Sequence, residues 1–305
     1  NKADGEDLLL TSACHFYEGV TQQEAEDFYA RMKSEHAESK TPSSYGLNST
    51  LVKDHDEIRE IVWSAEGRYA NAIRHIVYWL GKALQVAENE QQKRVISLLI
   101  SYYNSGDLQI FNEYCIEWLQ EHDSAIDFIN GFIEVYGDPL GLKGSWEGLV
   151  EYVDEEATRR TRTISENAQW FEDHSPVDVR FKKPVVKGVS ASVICAAMLG
   201  GDEYPSTAIG INLPNADWIR AQYGSKSITI SNITDAYNKA AHGNGFKEEF
   251  VIDAETLRMI EKYGDVCDDL HTDLHECLGH GSGQLLPGVD PDALKAYGNT
   301  IEEAR

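Results

Sequence analysis

The segment HECLGH, residues 275–280, constrains the local fold strongly because its two histidines lie five positions apart. Each residue of an α-helix turns about 100°, so residues four apart differ in direction by roughly 40° and residues five apart by roughly 140°. On a regular helix, His275 and His280 would therefore point away from each other. A widened, π-helical turn removes this conflict, and Gly279 tolerates such a distortion easily. The spacing therefore predicts a deformed helix.

The histidine pair and the glutamate beside it are typical of a zinc site. Neutral imidazole is a good zinc ligand, and a catalytic zinc ion takes three protein ligands and leaves one position for water. In the related pattern H-E-x-x-H, the glutamate after the first histidine accepts a proton from that water, and Glu276 holds the corresponding position. The extra residue makes this segment a weak signal by itself, and a segment without metal remains the alternative.

A third ligand is best sought in the segment TIEEAR, residues 300–305. Adjacent glutamates on a helix diverge by about 100°. One of Glu302 and Glu303 could therefore reach the metal, while the other hydrogen-bonds to a residue that orients the metal ligands. The run from Thr300 to Glu303 also matches a capping box, which explains Glu303 without metal. Both interpretations stay open on the residues alone.

Composition argues against several other classes of partner. The 305 residues include 27 Lys and Arg against 51 Asp and Glu, which gives a net charge of −24. This charge repels phosphate backbones and anionic lipid surfaces, so we expect no nucleic-acid partner and no membrane partner. No apolar run approaches the ~18 residues that a membrane-spanning helix needs.

The cysteines favour a reducing compartment. The chain has five of them without C-x-x-C spacing, so a disulfide framework is not expected and a cytoplasmic location fits best. The chain begins without methionine, which leaves a removed signal segment open. Its abrupt stop at Arg305 suggests a C-terminally truncated fragment of a longer protein.

Hydrophobic periodicity predicts a first half that is mostly helical. A capping box at Thr21 opens a helix that runs to about Ser34. The further predicted helices cover residues 54 to about 84, 95–102, 108–120 and 124 to about 136.

The amino-acid composition of the sequence changes near Pro184. The β-branched and glycine-containing stretches at 185–201, 208–215 and 227–232 predict the strands and loops of a small sheet. A long helix is expected from about Ala254. Its predicted buried stripe is Leu270, Leu274 and Leu278, and the glycines Gly281 and Gly283 are expected to end it. A last short helix is predicted from Asp290 to Gly298.

Four ordered motifs resemble the dipeptidyl peptidase III family of zinc metallopeptidases. HECLGH and EEAR resemble the paired family signatures H-E-x-x-G-H and E-E-x-R, and GFIEVYGDP (131–139) and GINLPN (210–215) resemble two further family segments. The stretches YYNSGDL and GLNSTL are similar to bacterial members. The resemblance therefore covers most of the chain.

This resemblance implies a role for each matching residue. It implies that one Zn²⁺ ion per chain is bound, that Glu276 activates the metal-bound water, and that Tyr136 steadies the oxyanion of the tetrahedral intermediate. Glu302 would support the zinc ligands. The implied zinc ligands are His275, His280 and Glu303, and the implied partners of the substrate's N-terminal ammonium are Glu134, Asn212 and Asn215.

These ammonium partners also have a simpler interpretation. A carboxylate with amide oxygens is a natural site for an ammonium group. However, Asn212 and Asn215 flank Pro214 and could be plain turn residues. The implied substrates are short peptides, from whose N-termini dipeptides are released.

The implied fold is mainly α with a smaller mixed α/β part that contains a small β-barrel. It has two lobes: residues 1–154 and 196–241 would form the mixed lobe, and residues 155–195 and 242–305 would form part of a helical zinc lobe that is cut short. Because of that truncation, an inactive fragment or pseudo-enzyme that binds peptide N-termini without cleavage is the alternative. A plain aminopeptidase is a further alternative.

Overall fold

The chain divides into two compact units. Unit 1 comprises Asn1–Ala125 and Ile129–Gly148, and unit 2 comprises Ile126–Phe128 and Leu149–Arg305. The computed structural model describes residues 6–186, 189–205, 207–241, 243–280, 282–284 and 286–288, with side chains at all of these except 189, 190, 276 and 280. About half of the described residues are helical, so the fold is mixed α/β. The short helix predicted from Asp290 to Gly298 lies outside these residues.

Unit 1 combines a three-stranded sheet with five helices among its described residues. In the sheet, β1 (Tyr17–Glu18) is parallel to β2 (Ser49–Asp54), and β2 is antiparallel to β3 (Glu57–Val62). Ala25 and Tyr29 are buried against Leu51 of β2. The helices are α1 (Leu8–Thr11), α2 (Gln22–Glu35), α3 (Ala70–Ala83), α4 (Glu90–Ser105) and α5 (Leu108–Leu119).

The helix start and the three helices predicted in unit 1 from short-range sequence patterns are confirmed. The Thr21 hydroxyl accepts the N–H of Glu24 and the Glu24 carboxylate accepts the N–H of Thr21, so the predicted capping box opens α2. Helices α3, α4 and α5 also occur where periodicity predicts them.

The helix predicted from 54 to about 84 is wrong over its first part, and the helix predicted from 124 to about 136 is wrong throughout. Residues 55–62 form the turn and second strand of a hairpin, because His55 takes a left-handed conformation with φ 56° and the chain reverses there. Residues 126–132 form strand β4 (Ile126–Phe132) rather than a helix. Pairing with a neighbouring strand outweighs apparent helical spacing in both places.

Unit 2 contains most of a five-stranded sheet with the order β4-β5-β6-β8-β7. Strand β6 is parallel to β8, and β7 is antiparallel to β8. The bounds are β5 (Trp146–Val153), β6 (Val189–Gly201), β7 (Gly210–Leu213) and β8 (Ser225–Ile230). The helices are α6 (Glu155–Glu166), α7 (Ala168–His174), α8 (Asp217–Tyr223), α9 (Ser231–Ala241), α10 (Phe246–Phe250) and α11 (Ala254–Leu274).

The predicted strands after Pro184 are confirmed, but the predicted β-barrel is wrong. Within the described residues both sheets are open, with β4 and β7 at the two edges of the larger one. Closing a barrel requires its edge strands to pair with a fixed stagger, and β7 is only four residues long. Among the described residues, no helix is both long and apolar enough to cross a membrane.

Helix α11 confirms the predicted start at Ala254, but it buries a different face. Leu270 is 37% exposed, whereas Asp273 and Cys277 are fully buried. The buried stripe of leucines is therefore wrong. Asp273 lies inside because its carboxylate bonds to Arg160 and Thr229 there.

Three charged residues lie close together on strands β4, β5 and β8 of the larger sheet. Lys226 of β8 donates to the Asp127 carboxylate of β4 at 2.9 Å. Glu151 of β5 is almost completely buried beside them, and its Oε2 has no hydrogen-bond partner among the described residues. Burial, reinforced by Asp127 and opposed by Lys226, raises the pKa of Glu151 to about 8. The carboxyl is therefore mostly protonated in the folded chain at neutral pH.

Replacing Glu151 with glutamine should flatten the pH dependence of stability. Because the folded-state pKa of about 8 lies above the unfolded value of 4.5, stabilisation is complete below the unfolded pKa and is lost as pH rises through the folded pKa. Over about pH 5 to 8 this group removes roughly 3 kcal/mol from the free energy of unfolding of the wild type. Urea unfolding of Glu151→Gln across this range should show no such loss. The exposed Glu156→Gln serves as the control, and parallel curves for Glu151→Gln and wild type would contradict the prediction.

Candidate functional site

The predicted deformation of the histidine-bearing helix is confirmed. Helix α11 is regular up to Leu274, and His275–His280 then form a π-helix. A π-helix bonds each residue to the residue five positions away, rather than four. His275 and His280 therefore begin and end one widened turn, which removes the phase conflict of an α-helix at this spacing. Asp253 caps the other end of α11 by accepting the N–H of Thr256.

The π-helix lies against the sheet of unit 2. Its Cα atoms come within 8 Å of Cα atoms in β6, β7 and β8. Cys277 is fully buried in this contact, and the His275 side chain is half-buried. Beyond the π-helix, Gly283 has φ 79° and its N–H donates to the Glu172 carboxylate at 3.1 Å. The widened turn thus packs on the sheet, and the chain three residues beyond it is held by α7.

Asn212 presents an oxygen without a partner at this part of the sheet. It lies on β7, directly opposite Ser227 of β8. Its side-chain N–H group donates to the hydroxyls of Ser225 at 3.1 Å and Ser227 at 2.6 Å. Its Oδ1 is buried and has no hydrogen-bond partner within the described part of the chain. An orphaned buried acceptor is costly unless a ligand donates to it. Asn212 is therefore not a plain turn residue.

Asn215 and the end of β7 are braced by Arg220 of α8. The guanidinium donates to the carbonyl oxygens of Pro214 at 2.6 Å and Asn212 at 2.9 Å. It also donates to Oδ1 of Asn215 at 3.2 Å. The planar fork of arginine therefore sets the path of the chain between the two asparagines. Arg220 was not predicted as part of the site from the sequence, although it follows Asn215 by only five residues.

Asp273 connects the end of α11 to two other elements. Its Oδ2 accepts Nε of Arg160 of α6 at 3.1 Å, and its Oδ1 accepts the hydroxyl of Thr229 of β8 at 3.2 Å. Arg160 also donates to Asp269 at 3.0 Å, so one guanidinium joins two successive turns of α11. Asp273 was not predicted either, because its burial depends on Arg160 and Thr229, which are distant in the sequence.

Glu134 and Tyr136 lie in unit 1, just after β4. The backbone of Glu134 is fixed by its N–H to the Glu147 carboxylate at 3.2 Å and by its carbonyl oxygen to the N–H of Ser145 at 2.7 Å. The Glu134 side chain is half-buried, whereas Tyr136 is 76% exposed. Asp138, two residues further on, is buried and accepts the N–H groups of residues 142 and 143 at 2.8 and 2.9 Å. The segment that carries Glu134 and Tyr136 therefore ends in a pinned loop.

Several predicted residues lie outside the described side chains. These are Glu276 and His280, of which only the backbone is described, and Glu302 and Glu303. Within the described residues, no group of three or more His, Cys, Asp and Glu side chains could hold a metal ion. What the structure brings together is the π-helix that starts at His275 and the strand that carries Asn212.

The backbone fits the predicted metal. Two imidazoles with one carboxylate are a donor set typical of catalytic zinc. The π-helix gives the two histidines the common turn that two ligands from one helix require. The backbone of this turn is therefore compatible with two ligands to one metal ion.

Comparison with known proteins decides the family. The sequence model of peptidase family M49 matches residues 17–300. The chain belongs to peptidase family M49. The resemblance based on four motifs is thereby confirmed.

Relatives and solved structures support this assignment. Dipeptidyl peptidase 3 of Dictyostelium discoideum is 29% identical over 225 residues, which cover 72% of this chain and 30% of that protein. Dipeptidyl peptidase 3 of Homo sapiens is 28% identical over 236 residues, which cover 77% of this chain and 31% of that protein. The structure of DPP III from Caldithrix abyssi is similar with a TM-score of 0.72 and 21% identity, covering 95% of this chain and 58% of that chain. This M49 chain therefore shares the fold, and it spans 30% and 31% of the two curated relatives.

Replacing Arg220 should loosen the segment that carries the two asparagines of this M49 chain. Arg220→Met removes three hydrogen bonds from a charged donor, so we expect the free energy of unfolding to fall by about 2–3 kcal/mol in urea titrations. Arg220→Lys should recover only part of this, because an ammonium group lacks the planar fork. Arg258→Met, which removes a bond from an exposed arginine to a helix carbonyl, is the control. Full recovery by lysine would show that charge alone matters there.

Proposed function

We propose that this chain is part of a zinc-dependent dipeptidyl peptidase that releases dipeptides from the N-termini of short peptides. The observation that carries the proposal is the π-helix of His275–His280 lying against the strand of Asn212. Membership in a peptidase family and the dipeptidyl peptidase 3 relatives support the reaction class.

Release of dipeptides requires the substrate's ammonium group to be held two residues away from the metal. An extended peptide advances roughly 3.3–3.6 Å per residue, so two residues span about 7 Å. We infer that Oδ1 of Asn212, a buried acceptor on β7, binds this ammonium group.

Each remaining residue has one proposed task. His275 and His280, with Glu303, hold the metal, and Glu302 supports these ligands. Zinc, when bound, polarises the scissile carbonyl and makes water a better nucleophile. Glu276 accepts the proton of the attacking water and passes it towards the leaving amine. Tyr136 donates to the developing oxyanion. Glu134 and Asn215 join Asn212 in binding the substrate's ammonium group.

The decisive test of catalysis is Glu276→Ala assayed on dipeptidyl arylamides. Loss of the general base should lower kcat by about 10²–10⁴-fold while the zinc content, measured by atomic emission, stays unchanged. Glu261→Ala, an exposed glutamate of the same helix, should retain full activity. Equal activity of the two variants would remove Glu276 from the mechanism. Zinc-free protein that binds peptides without cleaving them would identify a binding module instead.

Substrates with a blocked amine test whether the enzyme needs a free N-terminal ammonium group for cleavage. Peptides with an acetylated N-terminus should be cleaved poorly, because they cannot donate three hydrogens from an ammonium group to the asparagine and glutamate oxygens. Mass spectrometry of the products of free peptides should show two-residue fragments. Release of single residues would indicate an aminopeptidase, and equal cleavage of acetylated peptides would show that the ammonium group is not recognised.

A further inference from the structure

One face of strand β8 carries an unbroken row of hydroxyl groups. Side chains alternate between the two faces of a strand, so Ser225, Ser227 and Thr229 share one face. All three are buried. A buried strand is usually filled with apolar residues on such a face, so the row needs partners.

The row connects two parts of the proposed site. At one end, Ser225 and Ser227 accept the side-chain N–H group of Asn212 at 3.1 and 2.6 Å. At the other end, the Thr229 hydroxyl donates to Asp273 at 3.2 Å. Asp273 lies two residues before His275, at the point where the α-helix gives way to the π-helix.

Asp273 is held more firmly than a surface ion pair would be. Its side chain is fully buried, and both carboxylate oxygens are used, by Arg160 at 3.1 Å and by Thr229 at 3.2 Å. Asp269, one turn earlier, shares Arg160 at 3.0 Å but its side chain is 35% exposed. Of these two carboxylates, Asp273 is the one that also bonds to the sheet, through Thr229.

We propose that Asp273 is a positioning residue that sets the rotation and height of the His275 turn relative to Asn212. The inference rests on the proposed function, because it assigns His275 to the metal. A π-helix interrupts regular bonding, and Gly279 adds freedom within it, so the turn needs a fixed starting point. The bond between Asp273 and Thr229 supplies that point from the same strand that orients the Asn212 amide. The metal and the ammonium site thus share one strand as a common reference.

Zinc affinity of the 305-residue chain tests this role. The probe is Zn²⁺ alone, in competition with a chromophoric chelator. Asp273→Asn and Thr229→Val should lose zinc at chelator concentrations roughly 10-fold lower than wild type, as expected when a residue that orients a ligand is removed. Asp269→Asn is the matched control, because it breaks a bond to the same arginine without touching the sheet, and it should bind like wild type. Thr229→Ser keeps the hydroxyl and should restore the affinity.

Thermal unfolding separates positioning from plain stabilisation. If Asp273→Asn does not fold, the comparison of Thr229→Val with Thr229→Ser decides, since both leave the ion pair intact. Unchanged zinc affinity in folded Asp273→Asn or Thr229→Val, even with a lower unfolding temperature, overturns the positioning role and leaves the proposed function standing. A wild-type chain without zinc affinity overturns the proposed function instead, and the positioning role with it.

Discussion

The angular spacing of His275 and His280 at the end of α11 is the constraint on which the proposed site depends. Two histidines separated by four other residues cannot serve one ion from a regular α-helix, since five α-helical steps turn them roughly 140° apart. The chain resolves this with a six-residue π-helix that runs from His275 to His280. The distortion is local, because α11 is regular through Leu274. The site therefore requires one irregular turn and a rigid support on either side of it.

That support comes from the sheet of unit 2 rather than from the helix itself. The π-helix contacts β6, β7 and β8, and the buried Asp273 reaches Thr229 just before the turn begins. Strand β7 brings Asn212 to the same face, where its amide is oriented by two serine hydroxyls. A sheet is stiffer than a loop, so side chains anchored on neighbouring strands keep their spacing well. The same strand thus supports both a predicted ligand-bearing turn and a predicted substrate contact.

The sequence predicts those parts of the structure that depend on near neighbours. The capping box at Thr21, helices α3 to α5, the strands after Pro184 and the deformed helix at His275 all follow from local spacing. The helix predicted from 124 to about 136 and the first part of the helix predicted from 54 to about 84 are wrong because strand pairing decided those segments. The small barrel is wrong because edge pairing cannot be read from single strands. Likewise, the burial of Asp273 depends on Arg160, which is 113 positions away in the chain.

The buried carboxyl of Glu151 couples the folding of this M49 chain to the uptake of a proton. With a pKa of about 8 in the sheet against 4.5 in the open chain, this group takes up nearly one proton from solvent when unit 2 folds near neutral pH. Buffer molecules must supply that proton. The calorimetric enthalpy of unfolding at pH 7 should therefore differ between buffers in proportion to their heats of ionisation, even where the midpoint temperature is the same.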